Sequence, residues 1–436
     1  MDLTRQPPRR PSNTKMAGIV GLARMTDKAR AHNEETLEPY VYGNDSNLDT
    51  EVLALIGMQA DEFAEAAEAM SDEELVERVR ERIDTINRTQ EEIGVFNRER
   101  IEREPHDERH RELLRERLAQ YAPGRTDIKT IFASLELDDW GQFCQMDLTK
   151  EPPRTAYLRS VFDVMGAARM ADKARAARAG MLGAYRYGRN SGLDAAILDF
   201  FGLEADDFME AAYAHPNDTE LGEWIAERVE KTPAEKCAFN AMRAQFGRLG
   251  EARSAFLQRK EEVGCDRGEV GTFFDLMDFD DEKSFGIVDL RRHAPRSIYD
   301  VSVGGVAGLA RIIDKARAAH CRMLGVYWFG DDSGFDRQVL RFIGTAVDEF
   351  SAAIKICEGD DAVWDWLRDR VTGKDPGEIE VFNMSIWTVS PRGEAGLAFI
   401  RKAVGALDPR RRDIDCFAAM TELDDRVFFA RMKAGV

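Results

Sequence analysis

The sequence is poor in cysteine, in basic relative to acidic charge, and in long apolar runs, and each shortage closes off a class of function. Six cysteines, Cys144, Cys237, Cys265, Cys321, Cys357 and Cys416, are scattered through 436 residues without a CxxC pair. Neither a zinc-ligand cluster nor a disulfide framework is expected, and the thiols read as reduced core residues. Lys and Arg total 61 against 80 Asp and Glu, a formal charge of −19. Nucleic-acid binding draws on clustered cations that release counterions from phosphates, so the acid excess argues against such a partner. No apolar stretch approaches the roughly 18–20 residues that cross a bilayer, and the opening MDLTRQPPRRP lacks the apolar core of a signal peptide. The expectation is a soluble, cytoplasmic protein with no membrane partner. A P-loop, a dinucleotide-binding glycine fingerprint, a GxSxG elbow and a Cys/His nucleophile pair are missing too. No cofactor and no metal are expected.

What the chain does have is repetition. DLTRQPPR at Asp2 returns as DLTKEPPR at Asp147 and as DLRRHAPR at Asp289. GLARMTDKARA from Gly21 returns as GAARMADKARA from Gly166 and GLARIIDKARA from Gly308. Further on, Phe96-Asn97, Phe239-Asn240 and Phe382-Asn383 correspond, as do the closing LDDWGQF, FDDEKSF and LDDRVFF. A period of about 145 residues is domain-sized rather than solenoid-sized. Three tandem domains are expected at 1–144, 145–287 and 288–436, the first the most diverged. Each closing motif runs almost directly into the next opening one, which favours packed domains over beads on a string. Three like units can close around a pseudo-threefold axis, so the chain is expected to be a monomer or a pseudo-trimer within itself.

Each copy reads as helical. Asp49 and Asp194 stand where N-caps would, and Gly57 and Gly202 where left-handed residues would end the same helices. Ser71–Glu74 and Asn217–Glu220 resemble capping boxes ahead of amphipathic segments. LGAYRYG and LGVYWFG are candidates for short strands. The fold class is all-α or nearly so.

The strongest local signal is R-x-x-D-K-A-R-A: Arg24, Asp27 and Lys28; Arg169, Asp172 and Lys173; Arg311, Asp314 and Lys315. At 100° per residue these three side chains share one arc of a helix, with small residues beside them. Arg offers a bidentate fork and Lys a point charge, so the face suits an anionic ligand. Structural ion pairs that anchor the preceding PPR segment are the reading such helix pairs favour. Tyr40, Tyr185 and Tyr327 follow in aromatic-glycine turns, where they would line a pocket or fill the core. Asp49, Asp194 and Asp336 read as helix caps rather than catalytic carboxylates, and the pairs Asp138-Asp139, Asp280-Asp281 and Asp424-Asp425 as caps or solvated acids rather than a cation site. His106 and His110 share a helix face at i,i+4, but in a polar stretch that lacks a counterpart in the other copies. The copies differ: Gly183 and Gly325 become Glu38, followed by Pro39, and Trp224 and Trp366 align with Arg78. Copies two and three are therefore expected to keep any ligand site, with Arg24, Asp27, Lys28 and Tyr40 its diverged counterparts.

At these residues the chain resembles a bacterial family catalogued as domain of unknown function 5069, which shows a D-L-T-x-x-x-P-R opening, an R-M-x-D-K-A-R-A helix and a G-x-Y-x-Y…L-D segment. The match lies in DLTKEPPR from Asp147, ARMADKARA from Ala168, GAYRY from Gly183 and Leu193-Asp194, and in the corresponding stretches of the other copies. It is specific over roughly the first 65 residues of each unit, and a triplicate chain is similar to a fusion of single-unit relatives. The resemblance implies the domain organisation and carries no activity.

Three functions fit the residues. The first is a non-catalytic cytosolic protein that binds a small anionic metabolite or a protein partner through the charged face and the aromatic turn. The second is an enzyme with Lys173 or Lys315 as base or clamp, Asp172 or Asp314 orienting it, and Tyr185 or Tyr327 as proton donor. The third is a pure scaffold. An open cavity beside the charged face favours the first two, and a covered face with every charge paired favours the third.

Overall fold

The computed structural model describes residues 1–265, 267–268, 270–357, 359–371 and 376–434. The described residues form twenty-one α-helices, seven in each copy, and no strand. The two stretches expected to supply strands, 182–188 and 324–330, are turns. Gly183 and Gly325 take left-handed φ values of 61° and 64° near their starts, and the carbonyls of Arg186 and Trp328 accept from Lys173 and Lys315 rather than from a neighbouring strand.

Helix ends follow local chemistry, with one correction. The helices Asn47–Ile56, Gly192–Phe201 and Gly334–Ile343 are capped by Ser46, Ser191 and Ser333, whose hydroxyls accept from the N–H of Asp49, Asp194 and Asp336. The three aspartates therefore lie one turn inside, not at the cap. Serine wins the cap because its short hydroxyl reaches the N3 amide, which frees the carboxylate to turn inward. Gly57, Gly202 and Gly344 end these helices in the left-handed conformation. Ser71 and Glu74 form a reciprocal capping box; Asn217 caps its helix, but the Glu220 carboxylate accepts from Arg10 instead.

The chain divides into two compact units, Met1–Asn240 and Ala241–Val436. In the first, Leu22, Met25, Val52, Ile56, Phe63, Leu75 and Val79 form the core of copy one. In the second, Leu309, Ile312, Val339, Phe350 and Leu367 do the same for copy three, and Phe256, Val263 and Leu276 from the end of copy two make a separate cluster. Each such side chain contributes about 1.5–3 kcal/mol on leaving water.

The Phe-Asn landmarks have a task. Asn97 accepts from the N–H of Val20 at 3.1 Å and donates to Gly18 O at 2.7 Å. Asn240 does the same with Met165 and Asp163, and Asn383 with Ala307 and Gly305. One amide thus pins the loop that feeds Gly21, Gly166 or Gly308, the left-handed residue from which the charged helix starts.

Candidate functional site

The charged helices, Leu22–Asn33, Ala167–Arg178 and Leu309–His320, are central. Residues 22–29, 167–176 and 309–316 are buried on every side, and alanines such as Ala29, Ala64 and Ala67 keep the neighbouring helix Ala60–Ala69 close. Ions buried this deeply must each meet an opposite charge or hydrogen bonds. Separate elements supply them.

The aspartate is held by the PPR segment. Asp27 accepts from both the main-chain N–H and the guanidinium of Arg9 at 2.8 Å. Asp172 is held identically by Arg154, and Asp314 by Arg296. The remaining guanidinium edge reaches a second acid at the start of another helix: Arg9 to Asp72 and Arg154 to Asp218 at 2.5 Å, and Arg296 to Asp360. Burial alone would raise the Asp172 carboxyl, but Arg154, Arg5 and Arg175 hold it below the ordinary carboxylate range.

The lysine points into the aromatic turn. Lys173 Nζ donates to Arg186 O at 3.1 Å, Ser191 Oγ at 3.2 Å and Asp194 at 2.6 Å. Lys28 meets Val41 O, Ser46 Oγ and Asp49, and Lys315 meets Trp328 O, Ser333 Oγ and Asp336. The other oxygen of each carboxylate accepts from the N–H of Gly43, Gly188 or Gly330. Burial pushes Lys28 down to about 8, against the pull of Asp49, and also lowers Lys315, against the pull of Asp336. Asp194 is raised by burial despite Lys173 beside it.

The arginine pairs with the closing motif. Arg24 meets Asp139 at 2.5 Å and Arg311 meets Asp425 at 2.9 Å. Tyr40 and Tyr327 donate their hydroxyls to the same two carboxylates, each at 2.8 Å. The guanidinium also lies 5.4–5.6 Å from the ring centre in all three copies: Arg24 at Tyr40, Arg169 at Tyr185 and Arg311 at Tyr327. Burial and the carboxylate together push the Tyr40 and Tyr327 phenols far above their ordinary value. Asp139 is therefore neither a cap nor solvated. It is a buried counterion, and only the preceding acid, Asp138, sits nearer the surface, paired with Arg117.

The family model described as "Domain of unknown function (DUF5069)" matches residues 5–140, 153–283 and 292–427. The chain belongs to this family. It is made of three tandem DUF5069 copies, and no curated protein matches it.

The DUF5069 copies keep one network with little variation. Copy one is expected to hold a degenerate site, yet Arg24, Asp27, Lys28 and Tyr40 make the contacts of Arg311, Asp314, Lys315 and Tyr327 in copy three, and Asp27 and Lys28 those of Asp172 and Lys173 in copy two. The Glu38–Pro39 peptide of copy one, which is cis, occupies the turn without disturbing them. A lysine has three N–H donors, and Lys28, Lys173 and Lys315 each meet three acceptors, with side chains 5% exposed. The lysine offers a ligand no spare donor. His106 and His110 stack with ring centres 5.7 Å apart on the surface, His110 against Asp107, and the described residues contain no group of three or more His, Cys, Asp or Glu arranged around a metal. No described helix is long and apolar enough to cross a membrane. A cleft of about 680 Å³ opens in the first unit beside the copy-one network, between Pro7, Pro8, Tyr121, Trp140 and Pro216, and Asp139, the counterion of Arg24, borders it.

Sequence reasoning allowed ion pairs to the PPR segment without assigning them to Arg9, Arg154 and Arg296, read Asp139 and Asp425 as caps or solvated acids, and did not single out the second acids Asp72, Asp218 and Asp360. Their retention at matching places in three copies was the available signal.

Proposed function

We propose that this is a non-catalytic protein of the bacterial cytoplasm that works by holding a partner, with the R-x-x-D-K-A-R-A charges as its internal framework. The reading is supported by the saturation of Lys173, whose three acceptors come from its own copy in a site closed to solvent. A small anion would have to displace Asp194 from the ammonium, whereas a protein partner needs only the outer surface. A protein partner is therefore favoured over an anionic metabolite. The lowered Lys28 and Lys315 speak for an enzyme, but both ammonium groups and the phenols of Tyr40 and Tyr327 are spent on internal acceptors. Scattered free cysteines suit a reducing compartment.

Native mass spectrometry of the freshly purified chain, with and without Lys173→Met, tests this. The expected result is a chain mass with no small molecule attached, and a variant that loses about 3–5 kcal/mol because Asp194 is left buried without its cation. A copurifying anion at one to three equivalents, diminished in Lys173→Met, would overturn it.

A further inference from the structure

Within the first unit, a loop of copy one is seated on a helix of copy two. Gln6 accepts from the Asp218 N–H at 2.7 Å, Pro7 O accepts from Asn217 Nδ2 at 2.8 Å, and Glu220 accepts from the Arg10 N–H at 2.9 Å. Gln6, Pro7, Asn217, Asp218 and Glu220 are all buried there. Two different surfaces meet, so the contact is head to tail, and it leaves the seat of copy one and the loops of copies two and three outside that contact.

The seat of copy one corresponds to Ser71–Glu74, where Ser71, Glu73 and Glu74 are exposed. The loop of copy two has its two equivalent acceptors, the Glu151 carboxylate and Pro152 O, taken by Arg5 at 2.8 and 2.9 Å. In copy three the equivalents are His293 and Ala294. His293 Nδ1 lies 2.7 Å from Ala294 O and Nε2 lies 2.6 Å from a Glu282 oxygen. Both ring nitrogens face acceptors, an arrangement that favours the doubly protonated ring. The ring covers the carbonyl that copies one and two offer to a neighbour. Around it, Glu282 also accepts from the Asp289 N–H and faces Arg267, while Arg292 pairs with Asp289 and Asp278.

We propose that the copy-three loop is a capped docking element for the copy-one seat of a second molecule of this chain, and that His293 is the cap. The inference rests on the junction inside the first unit and is independent of the reading above. The occupant is a second copy because the loop already seated in copy two belongs to this same chain.

Sedimentation of the full chain tests it. His293→Gln gives copy three the glutamine that copy one uses, and Ser71→Asn gives copy one the amide that copy two uses. The wild type is expected at the single-chain mass of 49.2 kDa, the double variant at twice that mass, and the double variant with Glu74→Arg at the single-chain mass again. A double variant that keeps the wild-type helical circular dichroism yet stays at the single-chain mass would overturn the proposal. So would a dimer that survives Glu74→Arg, or a wild type already dimeric at neutral pH.

Discussion

Arg154 holds Asp172 with its main-chain N–H and its guanidinium at once, 2.8 Å in each case. The position of the PPR loop and the neutralisation of a fully buried acid are therefore one event. Arg154→Met removes the direct cation of both Asp172 and Asp218, leaving Asp172 only the more distant Arg175 and Arg5 at 3.6 and 4.0 Å, and should cost about 3–5 kcal/mol. Arg154→Lys keeps the charge but loses the fork, and should fall between the two. Urea unfolding followed by circular dichroism ranks the three proteins, and equal midpoints for Met and wild type would refute the assignment.

The asparagine clamp should behave alike wherever it occurs. Asn97→Ala and Asn383→Ala each remove an acceptor and a donor from a loop whose main-chain groups are then unpaired, for a loss of about 1–3 kcal/mol apiece. Thermal melts of the two variants should show similar shifts. A neutral result at either site would mean that the loop finds other partners.

Two glycines with positive φ separate backbone strain from crowding. Gly166 and Gly202 have φ of 85° and 69°. A Cβ at Gly166 would lie 2.9 Å from Ile197, whereas one at Gly202 would meet nothing within 4 Å. Gly202→Ala should cost only the left-handed penalty of about 1–2 kcal/mol, and Gly166→Ala should cost more. Parallel denaturation curves decide it, since the reverse order would show that Ile197 yields freely.

The stability profile should fall at both ends of the pH scale for different reasons. Burial works to raise Asp72, Asp172 and Asp360, but their arginines outweigh it and hold all three low. The unfolded chain takes up these protons first, near the free aspartate value of about 4, so their contribution is intact above that value and lost as pH falls through the native values. His293 runs the other way. Burial opposes its charge, yet Glu282 and Ala294 O raise it, so its contribution is present below the free histidine value of about 6.5 and lost as pH rises through the native one. Melting temperature against pH should show an acid limb in both wild type and His293→Gln, with the alkaline loss reduced in the variant.

Much of the fold was legible because its grammar is local. Gly57 and Gly202 marked helix ends by the conformation that only glycine takes cheaply, and Ser71–Glu74 signalled a helix start within four residues. The aspartates were harder. Ser46-Asn47-Leu48-Asp49 holds two possible caps, and attention to the Leu-Asp pair hid the serine three residues earlier. The counterions lay beyond local reading, since Arg24 and Asp139 are separated by more than a hundred residues, and nothing in either neighbourhood names the other. The charged face itself was visible; that it faces inward was not, because an amphipathic helix looks the same whether its polar side meets water or its own counterions.

The end of copy two has a bearing on how this gene can be cut. Its last helix, Phe273–Phe285, holds Lys433 through Asp275, His293 through Glu282 and Arg292 through Asp278, all partners in copy three, while the helix Asp218–Ala226 of copy two seats the loop of copy one. Ancestry divides the protein in three, but compactness divides it in two, between Asn240 and Ala241. A fragment trimmed to the middle repeat would shed bonded neighbours from both flanking repeats, so a segment that is one unit by sequence is not one unit of stability.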